Sequence, residues 1–574
     1  MIKNELAAAI AAALESAKSR GELTLESIPP ILLEVPKNRA HGDWSTNIAM
    51  TATRADGQSP VDLAKKIVSI LPIGEGLIVG AEVAGPGFIN IKLDPSWVGA
   101  TLKSILAQGA QFGLSDSGGG RKVLVEFVST NPNGPITVAG GRNAALGDTI
   151  ASLLQATGWS VTREYYINDA LNSVQMINFG KSVLHRYKQL IGVHAGILEA
   201  DAEEPDWLYH GDYVIDIARS IMEAEGKRFE DADPDDPQTI QTFRDFAQDG
   251  MIAEQKSDLQ AFGVEFDNWF SEASLHSDGR VPAAIALLNE SGFTYEKDGA
   301  VWLRSTDFGD DKDRVLVRAN GTPTYIAGDV AYHKDKFDRG FAVAIDIWGA
   351  DHAGYVARTK AAVAELGYDP NRLEIVLYQL VRIMKDGEFV KSSKRRGDVL
   401  ELKSDLVDEI GKDAARFFYL TRSANTELDI DVDLAKRTER DNPVYYVQYA
   451  HARVRQAIEK AVEADGAALA DLSGADLSLL TQDGEVDLVR KLADYPAEVA
   501  AAAVDRAPHR ITQYLRELAS TFHGFYDAGN RAPELRINCG DPNVTKARLA
   551  LATATALVLK NALSLLGISA PDRM

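Results

Sequence analysis

Two stretches of this chain combine residue types that handle polyphosphates. The first, Val125–Asp148 (VEFVSTNPNGPITVAGGRNAALGD), passes from a short apolar run through a loop rich in Pro, Gly and Asn into a helical pattern. A helix that starts on such a loop presents unbonded backbone N–H groups, which bind phosphate. Gly134, Gly140 and Gly141 let a ligand come close to the backbone. The second stretch, Val390–Leu420, opens with Lys391, Lys394, Arg395 and Arg396. Cations in such a loop can follow negative charge as it develops on a leaving group. Taken singly, each stretch has an ordinary alternative: a structural glycine turn in one case, a basic surface loop in the other.

The elements around them are those of a nucleotide-binding α/β unit. Lys122–Val128 reads as a continuously apolar strand and Val138–Thr157 as a helix ended by Gly158. Ser160–Ile167 reads as a second strand. Strand, helix and strand in this order predict a parallel βαβ unit. Phe341–Gly349 and the run RLEIVLYQLV from Arg372 supply two more buried strands. Residues 170–300 are mainly helical and acidic, and read as an insertion rather than core sheet. SDSGGGRK (Ser115–Lys122) reads as a flexible joint, before which AEVAGPGFINIKL forms a strand pair turned at Gly85-Pro86-Gly87. From about Val444 the strand signals stop and Leu and Ala recur at helical spacing. The expected units are residues 1–112, 118–443 and 444–574: a first unit, a split Rossmann-like parallel-sheet domain with the insertion, and an all-helical domain.

Size and composition agree. A chain of 574 residues exceeds a single hydrophobic core. No run of 18 apolar residues appears, so no membrane partner is expected. The N-terminal segment puts Ile2, Leu6, Ile10 and Leu14 on one face of an amphipathic helix. A single cysteine, Cys539, excludes an internal disulfide framework and a cysteine-rich metal site, which points to a reducing, cytoplasmic setting. The net charge of −22, from 61 basic and 83 acidic residues, argues against a protein that coats DNA or RNA nonspecifically. It leaves room for local basic patches that bind one specific nucleic acid.

Placed on either side of a split α/β domain, the two clusters resemble the HIGH and KMSKS signatures of class I aminoacyl-tRNA synthetases. The likeness to arginyl-tRNA synthetases covers nearly the whole chain. His41–Met50 and Glu82–Asn90 resemble that family's α+β N-terminal appended domain, and Arg163–Ala170 the block after its first crossover. Thr306–Gly340 and Trp348–Val356 resemble its catalytic blocks. ELDIDVDLAKRTERDNPVYYVQYAHARV and the final LLGISAPDRM resemble its all-α anticodon-binding domain. The resemblance implies a monomer that activates L-arginine with ATP and Mg²⁺ and transfers it to the cognate tRNA. Tyr325 and Asp329, four residues apart and so on one helical face, match the residues that read the guanidinium. Glu126, Ser129 and Asn131 match those holding the amino-acid head group. Asn133, Gly134, Pro135, Thr137, Ala139, Gly140, Gly141 and Arg142, with Asp351 and His352 on the adenosine side, match the ATP site. Lys391, Ser393, Lys394 and Arg395 match the catalytic loop. No protein-held metal is implied.

The pattern breaks where the family carries HVGHG. Here Thr137 replaces the first histidine, Ala139 the glycine and Gly140 the second histidine. Losing one transition-state hydrogen-bond donor costs about 3–4 kcal/mol. Ser392 also replaces the methionine of KMSKR, Asp398 an asparagine, and Gly328 stands where an arginine often precedes the aspartate. Two readings follow: a working ligase whose phosphates are held by Thr137, by the N–H groups of Gly140 and Gly141, and by Lys394 and Arg395; or an impaired paralogue that binds tRNA or arginine. A related cysteine-specific enzyme would need zinc ligands that a chain with one cysteine does not offer.

Overall fold

The computed structural model describes residues 2–25, 27–36, 38–56, 59–74, 76–170, 173–193, 207–390, 400–465 and 471–574. The N-terminal helix Ile2–Ser19 buries Ile2, Leu6, Ile10 and Leu14, as its periodicity requires. It belongs to a unit whose four-stranded antiparallel sheet includes the hairpin Ile78–Ala84 and Phe88–Leu93. Gly85 (φ 52°) and Gly87 (φ 127°) make the turn, in backbone regions other residues avoid.

The central sheet has five parallel strands: β1 (Lys122–Glu126), β2 (Ser160–Ile167), β3 (Asn268–Ser271), β4 (Val343–Gly349) and β5 (Leu373–Tyr378). Their spatial order is 5-4-1-2-3. Strand order reverses between β1 and β4, so a crevice opens there at the carboxyl ends of the strands, the place where sheets of this kind bind ligands. Helix α1 (Val138–Ala156) joins β1 to β2 and is almost wholly buried. Gly147 lets α1 lie on β1, because a Cβ there would come within 2.1 Å of the Phe127 ring.

Three expectations change. β3 lies inside the stretch read as an insertion, yet it is the edge strand of the core sheet, in register with Glu164–Ile167. Four residues carry too little pattern to stand out beside long helices such as Pro237–Ala261. The run from Arg372 is not one strand. It breaks at Gln379–Leu380, and Val381–Lys385 pairs instead with Glu388–Phe389 and Leu428–Asp431 in a separate small sheet. The glycine-rich joint is tied down: Ser115, Gly118 and Gly120 donate backbone N–H bonds to Ala156, Thr157 and Gly158 at the end of α1.

The C-terminal region is helical, with long helices Pro443–Asp465, Asp483–Val504, His509–Arg531 and Pro542–Leu565. The last is long and apolar enough to cross a membrane. However, 67% of its most apolar window is buried, and it packs on Pro443–Asp465 and Ser96–Gln108 as a core helix.

Candidate active site

The carboxyl edge of the sheet gathers most of the residues singled out above. β1 ends in Glu126, and the chain then turns sharply through Val128 (φ 68°) and Ser129 (φ 45°). Left-handed backbone at a Val and a Ser is costly and tends to mark a functional turn. Three bonds hold it. Val128 N donates to Asn143 Oδ1 (3.0 Å), Tyr166 N to Ser129 Oγ (3.1 Å) and Asn168 Nδ2 to Ser129 O (3.1 Å). Asn143 also donates to Ile347 O on β4 (3.0 Å), stitching the switch point together. Ser129 Oγ donates to Glu126 Oε1 at 3.0 Å.

Residues 130–134 rest on the helical insertion. Gln255 Nε2 donates to Asn131 O (3.3 Å) and Gly134 O (2.8 Å), and Tyr165 OH donates to Thr130 O (3.0 Å). The Asn131 and Asn133 amides both donate to Gln175 Oε1, at 2.9 and 3.3 Å, and Asn133 also reaches Tyr209 OH at 3.0 Å.

Thr137 caps α1, its Oγ1 accepting from Gly140 N at 3.1 Å, while Gly141 N donates to Thr137 O at 2.9 Å. The glycine N–H groups expected to hold phosphate are therefore engaged in the cap. Val138 N is bonded to Leu400 O, which leaves Ala139 N as the group at the helix start with no acceptor among the described residues. Thr137 and Ala139 are partly accessible, whereas Gly140, Gly141 and Arg142 are buried. Gly141 serves packing: a Cβ would meet Leu402 at 2.4 Å and Tyr419 OH at 2.6 Å. Arg142 is fully buried and donates to Gln379 O (2.8 Å) and Ser423 O (2.9 Å), and burial depresses its pKa to about 10. The resemblance implies an ATP-site role for it, while here its guanidinium is engaged with these two carbonyls.

The basic cluster, Lys391, Ser393, Lys394 and Arg395, lies outside the described residues. Its exit does not. Leu402 N donates to Ile136 O (2.7 Å), and Thr137 pairs with Glu401 in an antiparallel bridge. The two polyphosphate-handling stretches thus meet in space at Ile136–Val138.

On the other side of the crevice, helix α2 (Tyr325–Asp338) begins at Tyr325, which is 68% exposed. Asp329, one turn on, accepts no hydrogen bond at its carboxylate among the described residues, and burial raises its pKa. Facing it is Glu272, directly after β3, which the sequence reading did not single out. Glu272 is buried and is pushed up to about 7 by burial and by the charge of Asp329. Its signal in the sequence was weak, since β3 itself went unseen. Asp351 and His352 follow β4, both exposed, their side chains 3.6 Å apart; Gly349 accommodates Asp351, whose Oδ1 a Cβ would meet at 2.4 Å.

Beneath this edge, three strands place a carboxylate on one register row: Asp346, Glu126 and Glu164. All three are buried, and buried acids require partners. α2 supplies them. Lys336 Nζ donates to Glu126 Oε2 (2.5 Å) and Asp346 Oδ1 (2.7 Å), His333 Nε2 lies 3.0 Å from Asp346 Oδ2, and Arg339 and Tyr332 donate to Glu164. These attractions hold Asp346 below the usual carboxylate range against the opposing effect of burial, whereas for Glu126 burial prevails and raises its pKa.

In the C-terminal domain Tyr445 and Tyr449 stack in parallel (5.7 Å, 8°), with Arg453 4.6 Å over Tyr449. Rings and cations arranged this way suit nucleobase stacking.

Comparisons with known proteins agree along the whole chain. Residues 4–93 match the arginyl tRNA synthetase N terminal domain, 101–433 the class I (R) tRNA synthetase catalytic domain, and 447–574 the DALR anticodon binding domain. An arginine–tRNA ligase of Syntrophotalea carbinolica is 47% identical over 574 residues, covering both chains completely. One of Desulforudis audaxviator is 46% identical over 99% of this chain and 98% of its own. In fold, the Thermus thermophilus arginyl-tRNA synthetase superposes over 100% of both chains with a TM-score of 0.74 at 21% identity.

Proposed function

The chain belongs to the arginyl-tRNA synthetase family and joins L-arginine to tRNA in an ATP-dependent reaction, and from that premise we propose how its residues divide the work. Asp329 and Glu272 receive the guanidinium, with Tyr325 at the mouth of the pocket. The single observation that carries this is the pair of facing carboxylates, neither hydrogen-bonded to a cation among the described residues. A planar, permanently charged fork is their natural counterion. Glu126, Ser129 and Asn131 take the amino-acid head group; Asn131 gives up its bond to Gln175 to do so.

The arginine carboxylate attacks the α-phosphate of ATP. The bond to the bridging oxygen breaks, pyrophosphate leaves and arginyl-adenylate forms. The terminal ribose hydroxyl of tRNA then attacks the arginyl carbonyl and displaces AMP. Positioning and charge stabilisation dominate such chemistry. Asn133, Gly134, Pro135, Thr137 and Ala139 line the nucleotide, with Asp351 and His352 on the adenosine side. Gly140 and Gly141 shape the loop from beneath rather than donating to phosphate. Lys391, Ser393, Lys394 and Arg395 act on the departing pyrophosphate and take on more of that charge than in relatives with both histidines. Mg²⁺ enters with ATP, bound through the phosphates. The working units are 1–112, 118–443 and 444–574, in a cytoplasmic monomer. The reading as a non-charging paralogue draws no support from the relatives, which carry the ligase name at 46–47% identity.

Purified protein supplied with ATP, Mg²⁺, arginine and cognate tRNA from the outset should form arginyl-tRNA. Clear tRNA binding with no charging above a no-enzyme control would overturn the ligase reading.

A further inference from the structure

Glu126 and Asp346 are direct neighbours in register on β1 and β4, and Glu164 continues the row on β2. Like charges side by side on a sheet repel, so the row exists only because α2 neutralises it. Lys336 is the pivot. It is fully buried, its ammonium bridges Glu126 and Asp346, and it lies 4.3 Å from the centre of the Tyr332 ring. It presents no surface to a substrate. It sits on the same helix face as Asp329, two turns or about 10 Å further along. His333 ties the same helix to β4, with Nδ1 2.7 Å from the backbone Asp329 O and Nε2 3.0 Å from Asp346 Oδ2.

Glu126 has one carboxylate oxygen on Lys336 and the other on Ser129, and Lys336 is the one cation hydrogen-bonded to it among the described residues. Each oxygen keeps a second lone pair for a ligand. We propose that Lys336 is a positioning residue for arginine: acting through Glu126, it holds that carboxylate aimed at the substrate α-ammonium. This rests on the assignment of Glu126 to the head group.

The test compares arginine with 5-guanidinopentanoate, which is arginine without its α-ammonium, in the full-length protein with tRNA present. Lys336→Met should raise KM for arginine about tenfold or more, leave KM for ATP within about twofold, and leave the inhibition constant of 5-guanidinopentanoate unchanged. Lys336→Arg, which keeps the cation, should recover part of the loss. If Lys336→Met does not fold, Lys336→Met/Glu126→Gln removes the stranded anion and carries the same comparison, with arginine binding reduced towards that of the analogue. Unchanged arginine KM, or arginine and analogue weakening in parallel, would overturn the proposal. Failure of the ligase reading is seen separately, as absence of arginylation by the unmodified chain.

Discussion

Arg416 Nη2 lies 2.5 Å from Asp148 Oδ2, joining the helix Lys412–Tyr419 to α1 through a guanidinium with no solvent exposure. The same side chain donates to Leu566 O at the end of the last helix and to Phe262 O and Gly263 O at the end of Pro237–Ala261. Gly567 makes room, since a Cβ there would sit 2.5 Å from Nη2. Breaking a buried pair from one side costs about 3–5 kcal/mol. Arg416→Met should therefore lower the apparent Tm by several degrees and release the C-terminal helices to proteolysis before the N-terminal unit.

Asp329→Ala removes one arm of the guanidinium site. A stranded partner charge costs about 2–5 kcal/mol, so KM for arginine should rise at least about thirtyfold. The dissociation constant for tRNA should stay within about twofold in a filter-binding assay. An unchanged arginine KM would take Asp329 out of the pocket.

Glu272 gives the enzyme a pH signature. With its carboxyl pushed up to about 7 by burial and Asp329, it is protonated at pH 6 and ionised at pH 8. Guanidinium binding needs the ionised form, so kcat/KM for arginine should climb between pH 6 and 8, and bound arginine should pull the midpoint down. Glu272→Gln should flatten that limb and hold the low-pH value throughout. A limb that survives the substitution belongs to another group.

Restoring histidines at 137 and 140 should lower activity. Thr137→His removes the cap that accepts from Gly140 N, which costs about 1 kcal/mol at the start of α1. A Cβ at Gly140 meets Ile136 Cγ2 at 3.1 Å, so the new ring must displace a residue whose carbonyl accepts from Leu402 N. ATP–pyrophosphate exchange in the presence of tRNA reads the outcome; a large rise would mean that the site is merely impaired.

What could be read from the sequence follows from how local the signal is. β1, α1 and β2 stand out because an apolar run, a glycine-rich loop and a capped helix lie within about fifty consecutive residues. β3 is missed because Asn268–Ser271 is four residues long and becomes a strand only through its pairing with β2. The engagement of Arg142 is not legible in sequence because its partners Gln379 and Ser423 lie 237 and 281 residues away. Lys336 and His333 escape notice although their spacing from Asp329, with Tyr332, is i, i+3, i+4, i+7. Polar residues at that spacing read as a solvated stripe until a row of buried acids is seen to face them. Tyr325 and Asp329 were accessible through family resemblance; Glu272 depends on tertiary structure, because what makes it notable is the other carboxylate across the crevice.

The bridge between Thr137 and Glu401 acts as a tether point. Leu400 O accepts from Val138 N and Leu402 N donates to Ile136 O, so residues 136–138 and 400–402 share one short ladder. Loosening the cap at Thr137 therefore loosens Leu400–Leu402 with it, and a substitution in either strip is felt in both.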